Sequence, residues 1–115
     1  MNTNDDSSQK NVSRDLAADL SSLRAQIDQV DDQLLVLLNK RSGLALQIGR
    51  HKSEMGYSVS IFQPEREMEI LERLCARNTW QNGCLPIEHI ESIWHAIFSS
   101  SKALQAGTTG DALEG

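Results

Sequence analysis

The chain has 115 residues, of which 39% are hydrophobic and only 4% aromatic, so one domain with a mainly aliphatic core is expected. Its net charge of −5 at pH 7 argues against nucleic acid as a partner, because phosphate binding usually requires a basic surface. The sequence contains no apolar run of the roughly 18 residues that a membrane span needs, and its polar N-terminus lacks the apolar core of a signal peptide. We therefore expect a cytoplasmic protein that contacts no membrane.

Both ends of the chain differ in composition from its middle. Residues 1–13 are polar and acidic, and residues 107–115 are small and polar, so we predict a disordered leader, a folded domain over 14–106 and a flexible tail. Cys75 and Cys84 form no C-x-x-C pair and have no metal-ligand spacing with the histidines, which favours two reduced thiols and no metal site.

The first predicted helix is unusually long. From Leu16 to Met55 the seam positions recur at alternating steps of four and three residues, the a/d pattern of a helix that packs along a seam. Gly43 and Gly49 each cost a helix about 1 kcal/mol relative to alanine, but the pattern passes both without a shift, so a continuous helix is predicted. At about 1.5 Å per residue it measures roughly 60 Å. Two shorter helices cannot cover such a seam, which predicts association, with a symmetric dimer as the default.

Two more helices follow a predicted loop over residues 56–63. Pro64 suits the first turn of the second helix, because proline there removes no needed hydrogen bond, and the segment N-T-W-Q-N-G ends that helix. Pro86 begins the third helix in the same way, and the apolar residues of that helix recur at helical spacing. The expected fold is all-α, with three helices of which the N-terminal one is very long.

Several polar residues fall on the apolar sides of these helices. Arg41 interrupts the long seam, and Lys52 lies about 20° around the helix from it and about 16 Å along it, which leaves room for one small molecule. Ser101 and Gln105 face inward on the third helix. Singly, each has an ordinary structural explanation, such as a side chain that reaches solvent or bonds to its own helix. Together they favour an anionic ligand, because an unpaired buried cation is costly. Other basic residues, including Lys102, are predicted to be solvated.

Four separated motifs resemble the all-α class of chorismate mutases. They are L-R-x-x-I-D-x-V-D-x-Q-L-L-x-L-L-x-x-R-S over 23–42, I-G-x-x-K over 48–52, P-E-R-E over 64–67 and S-x-x-L-Q over 101–105. The resemblance is greatest to the mutase domain that is fused to prephenate dehydratase in bifunctional enzymes. It implies chorismate as the substrate, no cofactor, and an intertwined homodimer in which the long helix of each subunit closes the active site of the other.

The resemblance also implies how the substrate is held. Arg41, Arg66 and Arg24 of the partner subunit bind the two carboxylates of chorismate, and Ser101 assists at the ring carboxylate. Arg24 lies about 25 Å along the helix from Arg41, too far for one small ligand, so an antiparallel partner would supply it. Gln63 stands where an aspartate is common in the family, and this change is tolerable if the backbone at position 63 makes the contact with the substrate.

Three residues have catalytic roles by the same resemblance. Lys52 and Gln105 donate hydrogen bonds to the ether oxygen of the breaking bond, and Glu67 accepts one from the C4 hydroxyl. A Claisen rearrangement needs no nucleophile and no cofactor: the enzyme holds a reactive conformer and stabilises developing charge. Because an amide donates a hydrogen bond without being protonated, we expect Gln105 to cause no acid limb in the pH–rate profile, that is, no dependence of activity on protonation at low pH.

Three alternatives remain open from the sequence. An isochorismate–pyruvate lyase has the same fold and nearly the same ligand. A non-catalytic helical dimerisation module explains the seam but not its polar residues. A mutase domain that has lost catalysis and serves regulation is the third, although every expected residue type except that at position 63 is present.

Overall fold

The computed structural model describes residues 3–54 and 63–114, and the side chains of 15–54 and 63–107. Three helices account for these ranges: α1 (Thr3–Glu54), α2 (Pro64–Trp80) and α3 (Ile87–Glu114). No strand occurs within them, so the all-α prediction is confirmed. None of the helices described combines the length and the apolar character that crossing a membrane would require.

The first and third helices are longer than the sequence predicts. Helix α1 passes through Gly43 and Gly49 without a break, as predicted, but it begins at Thr3 and so includes most of the expected leader. Helix α3 likewise includes most of the expected tail. Neither stretch contains a proline, so nothing interrupts the series of backbone hydrogen bonds. The division into leader, domain over 14–106 and tail stays a prediction, and the predicted loop over 56–62 lies outside the described residues.

The chain divides into two compact units, residues 1–39 and 40–115. In the first unit every side chain from residue 15 onward is exposed, and the large apolar ones are between 41% and 68% exposed. The unit therefore leaves an apolar stripe uncovered, which we call the α1 stripe. It consists of Leu16, Leu20, Leu23, Ile27, Val30, Leu34, Leu35, Val36, Leu37 and Leu38.

The second unit has a small core that draws on all three helices. Its buried apolar side chains are Ala45 on α1, Ile70 on α2, and Ile90 and Phe98 on α3. Gly49 is also buried, and a methyl group added there would lie 3.3 Å from the Cα of Gln105. The missing side chain thus lets the end of α1 lie directly against α3.

A tight turn places α3 beside α2. The Asn78 side chain donates a hydrogen bond to the Leu85 carbonyl at 2.9 Å, and Gly83 lies so close to Asn78 that any side chain at 83 would collide with it. Pro86 precedes the first residue of α3, and its carbonyl accepts the Ile90 N–H at 3.1 Å. Pro86 therefore caps α3 one residue earlier than the first-turn position that the sequence predicts.

Candidate active site

A cavity of about 370 Å³ lies within the second unit, between the end of α1, the beginning of α2 and the middle of α3. Helical spacing explains which residues line it, because positions three or four apart share one side of a helix. Its apolar lining residues are Leu44, Ala45, Ile48, Ile70 and Phe98, and its polar ones are Arg41, Lys52, Gln63, Arg66, Glu67, Ser101, Lys102 and Gln105.

Seven of the eight predicted site residues line this one cavity, although they lie in or beside four separate motifs of the sequence. They are Arg41, Lys52, Gln63, Arg66, Glu67, Ser101 and Gln105. The eighth, Arg24, is exposed and belongs to the first unit, so it is not among the lining residues. The fold brings the seven side chains together, and the role of each one stays a proposal.

Arg41 is held in the seam by neutral groups and not by a carboxylate. Its Nη1 donates a hydrogen bond to Ser101 Oγ at 2.5 Å, and its Cζ lies 5.8 Å from the centroid of the Phe98 ring, in cation–π range. Burial lowers the pKa of Arg41 below its usual value, and the positive charge of Arg66 lowers it further. Among the described side chains no carboxylate pairs with Arg41. Its charge is therefore available to an anion in the cavity.

Phe98 is a site residue that the sequence analysis missed. It is 3% exposed, and the edge of its ring meets His95, with centroids 6.1 Å apart and the rings at 78°. A signal for it existed, because Trp94, Phe98, Ser101 and Gln105 follow steps of four and three residues. The competing series through Ile97 has the same spacing. Periodicity alone could not decide which series faces the core.

Lys102 was predicted to be solvated, and that prediction is wrong. Its Nζ lies 3.2 Å from Glu67 Oε2, and the side chains are 32% and 18% exposed. Lys102 follows Ser101, so it lies about 100° around α3 from it, on the side that α2 covers. The ion pair of Arg66 with Glu69, at 3.6 Å, is by contrast exposed and joins residues of one helix turn.

The cavity is electropositive and has an aliphatic wall. Four basic side chains and one carboxylate line it, and the apolar residues beside them keep the local dielectric low, which strengthens their field. Within the described part of the chain no three side chains of metal-binding type come together, and Cys75 and Cys84 are free thiols. The arrangement suits a small anionic molecule with hydrogen-bonding oxygens.

Residues 23–106 match the chorismate mutase type II family. This chain belongs to that family. The match covers most of the second unit and, in the first, the segment with Arg24. The resemblance drawn from the four sequence motifs is therefore confirmed.

Proteins similar to this chain include bifunctional enzymes and a chorismate mutase with a single named activity. The bifunctional chorismate mutase/prephenate dehydratase of Aquifex aeolicus (strain VF5) is 36% identical over 88 residues, which are 76% of this chain and 24% of that protein. A chorismate mutase of Methanocaldococcus jannaschii is 34% identical over 55 residues, 48% of this chain and 54% of that protein. The T-protein of Enterobacter agglomerans is 46% identical over 56 residues, 49% of this chain and 14% of that protein. This chain thus spans about a quarter of the bifunctional relative from Aquifex aeolicus. The chain matches no solved structure.

Proposed function

We propose that this protein is a chorismate mutase, an isomerase that converts chorismate to prephenate by a Claisen rearrangement on the route to phenylalanine and tyrosine. One observation carries the proposal. A member of the type II family places seven candidate site residues around a single electropositive cavity. Ser101, the hydroxyl that could serve as a nucleophile there, accepts a hydrogen bond from Arg41 and has no histidine in the lining to activate it.

Substrate binding follows from the donors in the cavity. Chorismate carries two carboxylates, and guanidinium groups are well suited to them because they can donate two parallel hydrogen bonds. In the proposal Arg41 and Arg66 bind these carboxylates, and Ser101 assists at the ring carboxylate from its place beside Arg41. Gln63 contributes through its backbone at the start of α2. Fixing both carboxylates selects the folded conformer in which the reacting carbons approach each other.

Catalysis is proposed to come from donors at the ether oxygen, which gains negative charge as its bond to carbon breaks. Lys52 and Gln105 lie on different helices and line the same cavity, so they can approach this oxygen from two directions. A donor of this kind typically contributes about 3–4 kcal/mol of transition-state stabilisation, because it is already oriented before charge develops. Glu67 is the one carboxylate among the described lining residues, and carboxylates only accept, so we assign it to the C4 hydroxyl.

The proposal is tested by the loss of chorismate absorbance on adding purified protein. Lys52→Ala is expected to lower kcat about 10²- to 10³-fold, because it removes a donor from the ether oxygen. Lys40→Ala serves as the matched control, since Lys40 is exposed and lies outside the cavity lining. Pyruvate release from isochorismate without any chorismate turnover would support the assigned binding site but contradict the proposed mutase reaction. No turnover of either substrate would favour a dimerisation module.

We further propose a homodimer in which Arg24 of the partner subunit completes each site. The α1 stripe supports association, because monomeric soluble proteins rarely leave so long an apolar surface uncovered. Light scattering on the purified protein gives the mass, and a monomer at assay concentration would contradict the dimer.

Mixing two inactive variants tests the shared site. Arg24→Ala and Arg41→Ala should each abolish turnover alone. After subunit exchange, half of the dimers carry both variants, and each of these has one intact site if Arg24 acts across a two-fold interface. Recovery of about a quarter of wild-type activity is therefore expected. If Arg24 acts within its own chain, mixing recovers no activity.

A further inference from the structure

Glu67 has a cationic partner on a different helix. Lys102, on α3, reaches Glu67, on α2, with its Nζ 3.2 Å from Oε2. Both side chains line the cavity, and both are largely shielded from water. Exposed ion pairs contribute little because water screens them, whereas a shielded pair that joins two helices restricts both side chains.

The neighbouring cation does not serve Glu67 in the same way. Arg66 precedes Glu67 in the sequence, but its guanidinium pairs with Glu69 one turn further along α2, at 3.6 Å. A glutamate side chain has three rotatable bonds and would sample several directions without a partner. Lys102 is thus the described cation that holds the Glu67 carboxylate in the cavity.

The contact leaves part of the carboxylate available. Lys102 approaches Oε2, and a carboxylate has two oxygens with about four acceptor positions in all. Oε1 can accept from a ligand hydroxyl while Oε2 stays with Lys102. The positive charge of Lys102 is at the same time balanced by Glu67, which leaves Arg41 and Arg66 to the carboxylates of the ligand and Lys52 to its ether oxygen.

We propose that Lys102 is a positioning residue, which acts through Glu67 and makes the cavity selective for a substrate with a hydroxyl at the position that Glu67 faces. This inference rests on the proposed function. In the absence of Lys102 the Glu67 side chain is free to turn away, and the substrate hydroxyl loses an oriented acceptor.

A double-mutant cycle measures this coupling. Lys102→Met is expected to lower kcat/KM for chorismate about tenfold in the wild-type background and less than twofold in the Glu67→Gln background, because a positioning residue matters only while its target carboxylate is present. Lys102→Arg keeps the charge at nearly the same reach and should return kcat/KM to within about threefold of wild type. Equal losses in the two backgrounds would overturn the proposal, because Lys102 would then act on the substrate or on the fold directly.

A second readout separates positioning from stability. A competitive chorismate analogue can carry hydrogen in place of the C4 hydroxyl. Its inhibition constants for wild type and for Lys102→Met should agree within about twofold, since the analogue has no hydroxyl for Glu67 to accept from. A loss of about tenfold with this analogue would refute the inference. If Lys102→Met does not fold, as judged by thermal unfolding, Lys102→Gln takes its place in the cycle. A wild-type protein that turns over no chorismate would overturn the proposed function and this inference with it. If wild type turns over chorismate but the effects of Lys102→Met and Glu67→Gln simply add, this inference would be overturned while the proposed function would stand.

Discussion

Replacing Gly49 by alanine tests how closely α1 and α3 must approach each other at the cavity. Gly49 is buried, and an added Cβ would lie 3.3 Å from Gln105 Cα, 3.5 Å from its Cγ and 3.6 Å from its Cβ. The nearest atom belongs to the backbone of α3, so a side-chain rotation cannot relieve the contact. Helix α3 is anchored nearby by the buried ring of Phe98. An alanine at position 49 would therefore force α1 and α3, which are packed together here, to shift by a few tenths of an ångström.

The expected effect on stability is the difference of two opposing terms. Alanine in place of glycine stabilises a helix interior by about 1 kcal/mol, whereas an extra carbon in a packed interior costs about 1–3 kcal/mol. Gly43 supplies a matched control on the same helix, because a Cβ there meets nothing within 4 Å. Gly43→Ala should raise the free energy of unfolding by about 1 kcal/mol. The free energy of unfolding of Gly49→Ala should be about 1–3 kcal/mol lower than that of Gly43→Ala, because only the contact with α3 differs between the two variants.

Activity should separate the two variants as well. A misplacement of about 1 Å can cost about 10²-fold in rate, so a shift of a few tenths of an ångström at Gln105 should lower kcat roughly threefold in Gly49→Ala. Gly43→Ala should keep the wild-type rate. Urea unfolding gives the stabilities and chorismate turnover gives the rates. If Gly49→Ala stabilises the protein as much as Gly43→Ala and keeps full activity, the contact between Gly49 and Gln105 does not constrain the site.

Two further predictions concern the charge and the donors of the cavity. Arg41→Lys should raise KM about tenfold with a smaller change in kcat. The reason is that an ammonium group cannot at the same time bond Ser101, lie over the ring of Phe98 and form two parallel hydrogen bonds to a carboxylate. An unchanged KM in steady-state assays would contradict this prediction. Gln105→Glu should lose about 10²- to 10³-fold of kcat at pH 8 and recover activity as the pH falls, because the introduced carboxyl group donates only when protonated. Wild type should lack this limb in the pH–rate profile, and a Gln105→Glu variant that is fully active at pH 8 would exclude the proposed role of the amide.

Much of the fold and of the candidate site could be predicted from the sequence, because the signals were local. Apolar spacing identified three helices, and Pro64 marked the beginning of α2 to the residue. The same spacing showed that Arg41, Lys52, Ser101 and Gln105 interrupt apolar faces, and all four line one cavity. Each inference needed only the 3.6-residue period of a helix and the cost of burying a polar or charged group without a partner.

Other features depended on which surfaces the helices present to each other. Phe98 and Ile97 belong to series with equal spacing, and only the packing of α3 shows that Phe98 is buried and lies under Arg41. Lys102 looked solvated until α2 covered its side of α3 and supplied Glu67. The sequence by itself determined the number and order of the helices and the polar residues on their apolar faces, because both follow from neighbours along the chain. Only the tertiary structure decided the ion-pair partner of Glu67 and the approach of Gly49 to Gln105, because both are contacts between helices whose distance and rotation no single helix specifies.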